Sequence, residues 1–244
     1  MLETKDEADG VKPSDVKAVD GMQDAGPTDK VLGVSYSFAT DDFSIRIGEK
    51  AKHKATTRRQ MLSLIASVFD PLGLVAPALL RGKILLQRAT AAGIGWDEPV
   101  PEDIALEFEA WRSTLKALTL HHVPRWLASP ATTEGPVELH LFSDASVEAY
   151  GIAAYTRFTS PELREFAVRL VFSRAHVVPL DMARKVVKDQ ENHLGSIPRL
   201  ELTAARLAAV VREMIIQESN LTFSRIVMWT DSTCVIKWVR DMKT

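Results

Sequence analysis

The chain has 244 residues, 46% of them hydrophobic and 25% charged, with a formal net charge of −2, enough for a sizeable core in one large domain or two small ones. That flat balance neither marks nor excludes a nucleic-acid partner, because local patches matter more than the total. A single cysteine, Cys234, excludes an internal disulfide framework. No apolar stretch approaches the ~20 residues of a membrane span, and the N-terminus lacks the apolar core of a signal peptide. An intracellular protein, cytoplasmic or nuclear and without a membrane partner, is expected.

Residues 1–29 carry eight acids against three bases and no aromatic residue, and read as a disordered acidic tail. KVLGVSYSFATDDFSIRI, two short apolar runs about a polar turn, predicts a β-hairpin. The basic stretch GEKAKHKATTRR follows, and its Lys50, Lys52, Lys54, Arg58 and Arg59 could grip a phosphate backbone or simply be solvated. Met61, Leu64, Ile65, Val68 and Phe69 form one helical stripe that stops near Asp70-Pro71-Leu72-Gly73. A second helix is expected from Pro77 to about Ala92. A third carries Ile104, Phe108, Trp111, Leu115 and Leu118 at alternating spacings of four and three, the mark of one buried face. Residues 30–136 thus read as a hairpin and a small helical unit, closed by the linker SPATTEGP, with Trp126 as a packing anchor at the junction.

From residue 137 to 244 the pattern changes to strands. ELHLFSD alternates, YGIAAYTRF follows across a turn, and AVRLVFSRAHVV is a third run. A helix over 199–218, a β-branched strand over 225–230 and a helix over 232–241 complete the order. The fold class is therefore α/β, with a mixed sheet of three strands, helix, strand and helix behind the hairpin and helices.

Three carboxylates occupy three different settings in this segment. Asp144 lies in a strand whose inward set is either Leu139, Leu141 and Ser143 or His140, Phe142 and Asp144. A buried acid there needs compensation, from a cation or from a local turn bond through Asp-Ala-Ser. Glu201 lies in the first turn of its helix, where the macrodipole favours an acid in any case. Asp231 ends a strand before Ser232-Thr233, where it could cap the next helix. Acids delivered from separate elements to one point can share two divalent cations about 3.5–4 Å apart, and Mg²⁺ prefers such hard oxygen ligands.

The order of strand Asp, helix Glu and strand-end Asp resembles the active site of the ribonuclease H family. The blocks RRQMLSLIASVFDPLGLVAP, PRWL, FSDAS, SIPRLELTAA and WTDS, in this order over about residues 30–244, resemble the polyprotein of Pao/BEL-type LTR retrotransposons. The resemblance implies that residues 30–136 are the thumb and connection end of a reverse transcriptase. Residues 137–244 would then be a ribonuclease H domain, C-terminally incomplete. It further implies that the first and fourth strands of that domain pair in parallel and bring Asp144 and Asp231 together. Asp144, Glu201 and Asp231 match the family's first three metal-binding carboxylates, for two Mg²⁺ or Mn²⁺ ions acting on an RNA–DNA hybrid. The remainder of a retrotransposon polyprotein is the other implied partner.

The family's fourth carboxylate would lie beyond Thr244 and its polymerase aspartates before Met1, so weak or lost nuclease activity and no polymerase activity are expected. Asp41-Asp42 falls after the KVLG block and reads as a solvated turn. SRAHVVPLDMARKVVKDQENHLGS reads as an insertion. No Asp-Thr/Ser-Gly triplet occurs, which argues against an aspartic peptidase. The histidines His121, His122, His140, His176 and His193 have no cysteine partners at zinc spacing. Cys234 reads as a small buried hydrophobe. Two functions follow, a metal-dependent ribonuclease or a catalytically inactive relic retained as a nucleic-acid- or protein-binding module.

Overall fold

The computed structural model describes residues 28–31, 34–126, 135–160, 165–183 and 196–241. Residues 1–27 of the expected acidic tail, the linker residues 127–134 and residues 184–195 of the expected insertion lie outside them. Within the described residues the chain is a mixed α/β structure with two sheets, and the helix Ala76–Ala91 packs against the second of them.

The first sheet is antiparallel, in the order β1 (Thr28–Val31), β2 (Val34–Ser37), β3 (Asp42–Ser44), β4 (His122–Pro124). The expected hairpin is β2 and β3. Two further strands flank it, and Thr28 and Asp29, assigned from sequence to the acidic tail, sit in β1. Asp41, at φ 53°, turns the chain between β2 and β3. Its carboxylate accepts bonds from Arg125 Nε at 2.7 Å and the Tyr36 hydroxyl at 2.5 Å. Arg125 first, and Tyr36 second, hold that carboxyl below the ordinary aspartate range.

Three helices follow, α1 (Arg58–Ala66), α2 (Ala76–Ala91) and α3 (Glu102–Leu118). Thr57 caps α1 by accepting from the Gln60 amide at 3.3 Å. Pro77 sits in the first turn of α2, where its missing N–H costs nothing. Glu102 and Asp103 open α3 and Lys116 closes it, as the helix dipole favours. Met61, Leu64, Leu85, Phe108 and Leu115 are almost wholly buried in one core, each worth roughly 1.5–3 kcal/mol of burial. Phe69, read from sequence as part of the buried stripe, is 49% exposed. Helix α1 has already ended at Ala66, so the helical period no longer governs residue 69.

The second sheet has the order β7 (Glu165–Val177), β6 (Ala149–Ser160), β5 (Val137–Ala145), β8 (Phe223–Trp229). β5, β6 and β7 form an antiparallel meander, and β8 pairs with β5 in parallel. Parallel neighbours cannot be joined by a tight turn. The chain therefore crosses from edge strand β7 to edge strand β8 through α4 (Ser196–Glu218), which packs on β5 and β6. Alternation decides the face. Leu139 and Leu141 of β5 and Ile152 and Ala154 of β6 meet Ala208, Val211 and Ile215 of α4. Helix α5 (Thr233–Asp241) follows β8 and buries Val235. Cys234, expected to be buried, is exposed at its start, because the inward turn of α5 falls on the next residue.

The two halves meet along a seam between the loop before α2 and β7. The Ser173 amide donates to the Leu72 carbonyl at 2.9 Å, and the Ser173 hydroxyl to that of Gly73. Asp70 closes the loop by accepting from the Leu74 and Val75 amides at 2.7 and 2.9 Å. Gly73 has φ +74°, and a Cβ there would stand 1.7 Å from the Ser173 carbonyl oxygen. Gly93 has a similar φ of +76° but open space around it. Gly93→Ala should therefore cost only the left-handed backbone penalty of about 1–2 kcal/mol. Gly73→Ala must also push the seam apart and should cost clearly more. Equilibrium denaturant unfolding of the two variants measures the difference.

Candidate active site

Asp144 is carried by β5 and is exposed. The inward set of the strand is Val137, Leu139, Leu141 and Ser143, so Asp144 stands on the face of the sheet away from α4. One of its oxygens accepts from the Ala145 amide at 2.7 Å, which is the local turn bond considered from sequence. The parallel register ends on the pair Phe142 and Trp229, and Asp144 and Asp231 each follow two residues farther along, Asp231 past the end of β8. Both acids line one open cleft of about 920 Å³. Its floor includes Phe142, Tyr155 and Trp229, and its wall comes from Leu74, Pro77 and Leu80 of the α2 segment.

Glu201 comes from the other side. Helix α4 begins at Ser196, earlier than the sequence suggested, so Glu201 lies past the first turn and the macrodipole does not account for it. Leu200 beside it is fully buried, against Val178 and Ala145. One Glu201 carboxylate oxygen accepts from the Ser232 hydroxyl at 2.5 Å. Ser232 Oγ in turn accepts from the Val235 amide at 3.2 Å. The cap of α5 is thus Ser232 and not Asp231. The sequence signal for it was a serine three residues before Val235 at a strand–helix junction.

The three carboxylates are not bonded to one another. Asp144 and Asp231 share the cleft, and Glu201 is tied to the residue after Asp231. Their chemistry, three hard oxygen donors, suits Mg²⁺ or Mn²⁺. Among the described residues no three acids, histidines or cysteines come close enough together to hold a metal ion.

The open face of the sheet carries a polar chain that no spacing in the sequence announces. Arg157 donates to Glu138 at 2.9 Å, His140 Nε2 lies 3.1 Å from the same oxygen, and Trp229 Nε1 donates to His140 Nδ1 at 3.1 Å. Because Nδ1 accepts, the imidazole proton sits on Nε2 and points at Glu138. His140 and then Arg157 hold the Glu138 carboxyl below its usual range. Trp229 also lies nearly parallel to Phe142, with centroids 6.0 Å apart and planes 9° off.

The basic stretch divides. Arg58 donates to the Ile94 carbonyl and covers the Trp96 ring, 4.4 Å from its centroid. Arg59 pairs with Asp97 at 2.7 Å, and Lys54 is exposed. The side chains of Lys50 and Lys52 lie outside the description. Trp126, expected to anchor the junction, is 48% exposed and is met by the Arg125 guanidinium 5.8 Å from its ring.

A family model described as "Pao retrotransposon-like RNaseH-like domain" matches residues 57–232. No curated protein sequence matches the chain. Among solved structures, the foamy viral protease-reverse transcriptase dRH in complex with double-stranded DNA is similar at 12% identity and a TM-score of 0.33. That match covers 84% of this chain and 38% of that one. The foamy viral protease-reverse transcriptase in complex with dsDNA follows at 13% identity and a TM-score of 0.22, covering 89% and 43%. The chain thus spans less than half the length of either. No described helix is long and apolar enough to cross a membrane.

Asp144 and Asp231 line the same cleft with charges of one sign, and like charges repel with a strength that salt screens. Asp144→Asn keeps an oxygen for the Ala145 amide and removes one charge, so it should raise the thermal midpoint. The rise should be larger at 0.01 M than at 0.15 M salt, where the screening length falls from about 30 to 8 Å. Asp231→Asn added to it should bring little more. Differential scanning calorimetry at the two salt concentrations measures both effects.

Proposed function

The chain belongs to the Pao retrotransposon-like RNaseH-like domain family, and from that premise we propose that it is the part of a retrotransposon polyprotein that engages RNA–DNA hybrids and cuts their RNA strand. Asp144, Glu201 and Asp231 are the carboxylates assigned to that chemistry, with two Mg²⁺ or Mn²⁺ ions as the cofactor their donor type suits. The observation that supports the reading is the parallel β5–β8 pair, whose C-terminal ends carry Asp144 and Asp231 to the lining of one cleft. Ser232 brings Glu201 to the same junction. Recognition would rest on backbone shape and 2′-hydroxyls rather than on base sequence. Of the basic stretch Lys50, Lys52, Lys54, Arg58 and Arg59, the exposed Lys54 would add a salt-dependent grip on phosphates, since Arg58 and Arg59 are engaged with Ile94 and Asp97. The division into an acidic tail, a thumb/connection-like unit over 30–136 and a ribonuclease H-like unit from 137 belongs to the same proposal.

The spread of the three carboxylates, no three potential ligands standing close enough among the described residues to hold a metal ion, favours a second reading, in which the chain binds nucleic acid or protein without cutting. Three carboxylates that do not gather around a cation lose transition-state stabilisation, and each 1.4 kcal/mol lost is tenfold in rate. Trace cleavage is therefore the expectation for the isolated chain.

The test follows the RNA strand of an end-labelled hybrid with Mg²⁺ and with Mn²⁺, alongside binding by fluorescence anisotropy. Trace cleavage that disappears in Asp144→Asn and in Asp231→Asn is expected. Binding without any cleavage from the folded chain would select the second reading, and the absence of both would sink the nucleic-acid assignment.

A further inference from the structure

Ser232 does more than a helix cap requires. It is 5% exposed, and its one hydroxyl serves two partners, donating to Glu201 and accepting from the Val235 amide. The two bonds are compatible, since a hydroxyl has one proton to give and two lone pairs to offer. Capping uses only a lone pair, and aspartate or asparagine serves a cap as well as serine does. The proton is needed only for Glu201.

We propose that Ser232 is a positioning residue whose hydroxyl proton fixes the Glu201 carboxylate to the strand–helix junction that follows Asp231. An acid on the crossing helix is then held to the short segment that carries another acid past the edge strand. The backbone at Leu200 is already pinned by its burial against Val178 and Ala145, so only the side-chain torsions of Glu201 stay open. A charge-assisted O–H···O⁻ bond to a buried donor selects one of them. Hydrogen bonds of this kind, made to an acid from behind, orient it for whatever it meets in front. The link is a property of the folded chain. Its functional meaning rests on the reading of Glu201 given above.

Changing the direction of the bond separates positioning from capping. Ser232→Asp keeps an acceptor for the Val235 amide but replaces the donor with a second carboxylate facing Glu201. Glu201→Gln supplies a donor on the other side. In the full chain, Ser232→Asp alone should lower the folding equilibrium constant at least tenfold, and Glu201→Gln in the same chain should recover most of that loss. The double-mutant cycle in denaturant unfolding should thus show a coupling of at least tenfold. A residue that only caps α5 would give a Ser232→Asp variant as stable as the parent in either background, with coupling within twofold of none, and that result overturns the proposal. If Ser232→Asp does not fold, folding of the double variant with Glu201→Gln supports the link. If neither folds, Ser232→Ala decides. Its loss should be at least fivefold smaller when Glu201 is alanine, and an equal loss in both backgrounds overturns the proposal. The cycle needs no cleavage, so a chain that never cuts hybrid can still establish the link, and a cutting chain without coupling would refute it.

Discussion

Every feature of the candidate site depends on β5 and β8 lying side by side in parallel. In such a pair both C-terminal ends leave the sheet at one edge, so residues far apart in the chain emerge as neighbours. Asp144 near the end of β5 and Asp231 just past β8 are placed by that register alone. The same pairing demands a long crossover, and α4 supplies it. Ala204 and Ala208 are fully buried on its inner side, which lets the helix lie close to the sheet. Its N-terminal turns consequently end over Ala145 and Val178, beside the edge where the two aspartates emerge.

Face matters as much as edge. Asp144 points away from α4, where its charge stays hydrated and needs no counter-ion, so the position is tolerable without metal. Glu201 approaches from the α4 side and finds its partner in a hydroxyl. What joins the two sides is the short segment after β8. It holds Asp231, which lines the cleft, and Ser232, which reaches back to Glu201 and also starts α5. Three separate demands thus fall on two consecutive residues. A change at Ser232 would disturb a helix terminus and an acid together, which is why only a substitution that preserves one of the two bonds can tell them apart.

The sequence was most legible where one physical rule acted alone. Alternation identified β5, but it left two inward sets open, and only the packing of α4 on Leu139 and Leu141 chooses between them. The four-and-three spacing identified α3. Where two rules overlapped, the reading slipped. Phe69 continued a helical period past the end of α1, and Glu201 fell in the first turn of a helix read from 199 that in fact begins at Ser196. Asp231 was an equally good candidate for the cap that Ser232 makes, because an acid and a serine side by side offer the same acceptor to the helix. Strand β4 could not be read at all. His122–Pro124 is three residues long, and it is a strand only because β3 presents an edge to it. The Arg157–Glu138–His140–Trp229 chain was hidden for a related reason, since cross-strand neighbours are set by register and not by spacing.

The cleft has a further dependence that lies outside the sheet. Its wall is the start of α2, and that wall is held by main-chain bonds from Ser173 to Leu72 and Gly73. Only a residue without a Cβ can sit that close to β7 in a left-handed conformation, so the distance between wall and floor is fixed by a glycine far from any carboxylate. Even with the wall in place, Phe142 and Trp229 on the floor stay 44% and 46% exposed. Moving α2 away would bare more of an apolar floor that is already open. The helical half is therefore part of the site's shape rather than a neighbour to it, and the seam at Gly73 couples the stability of one half to the accessibility of the acids in the other.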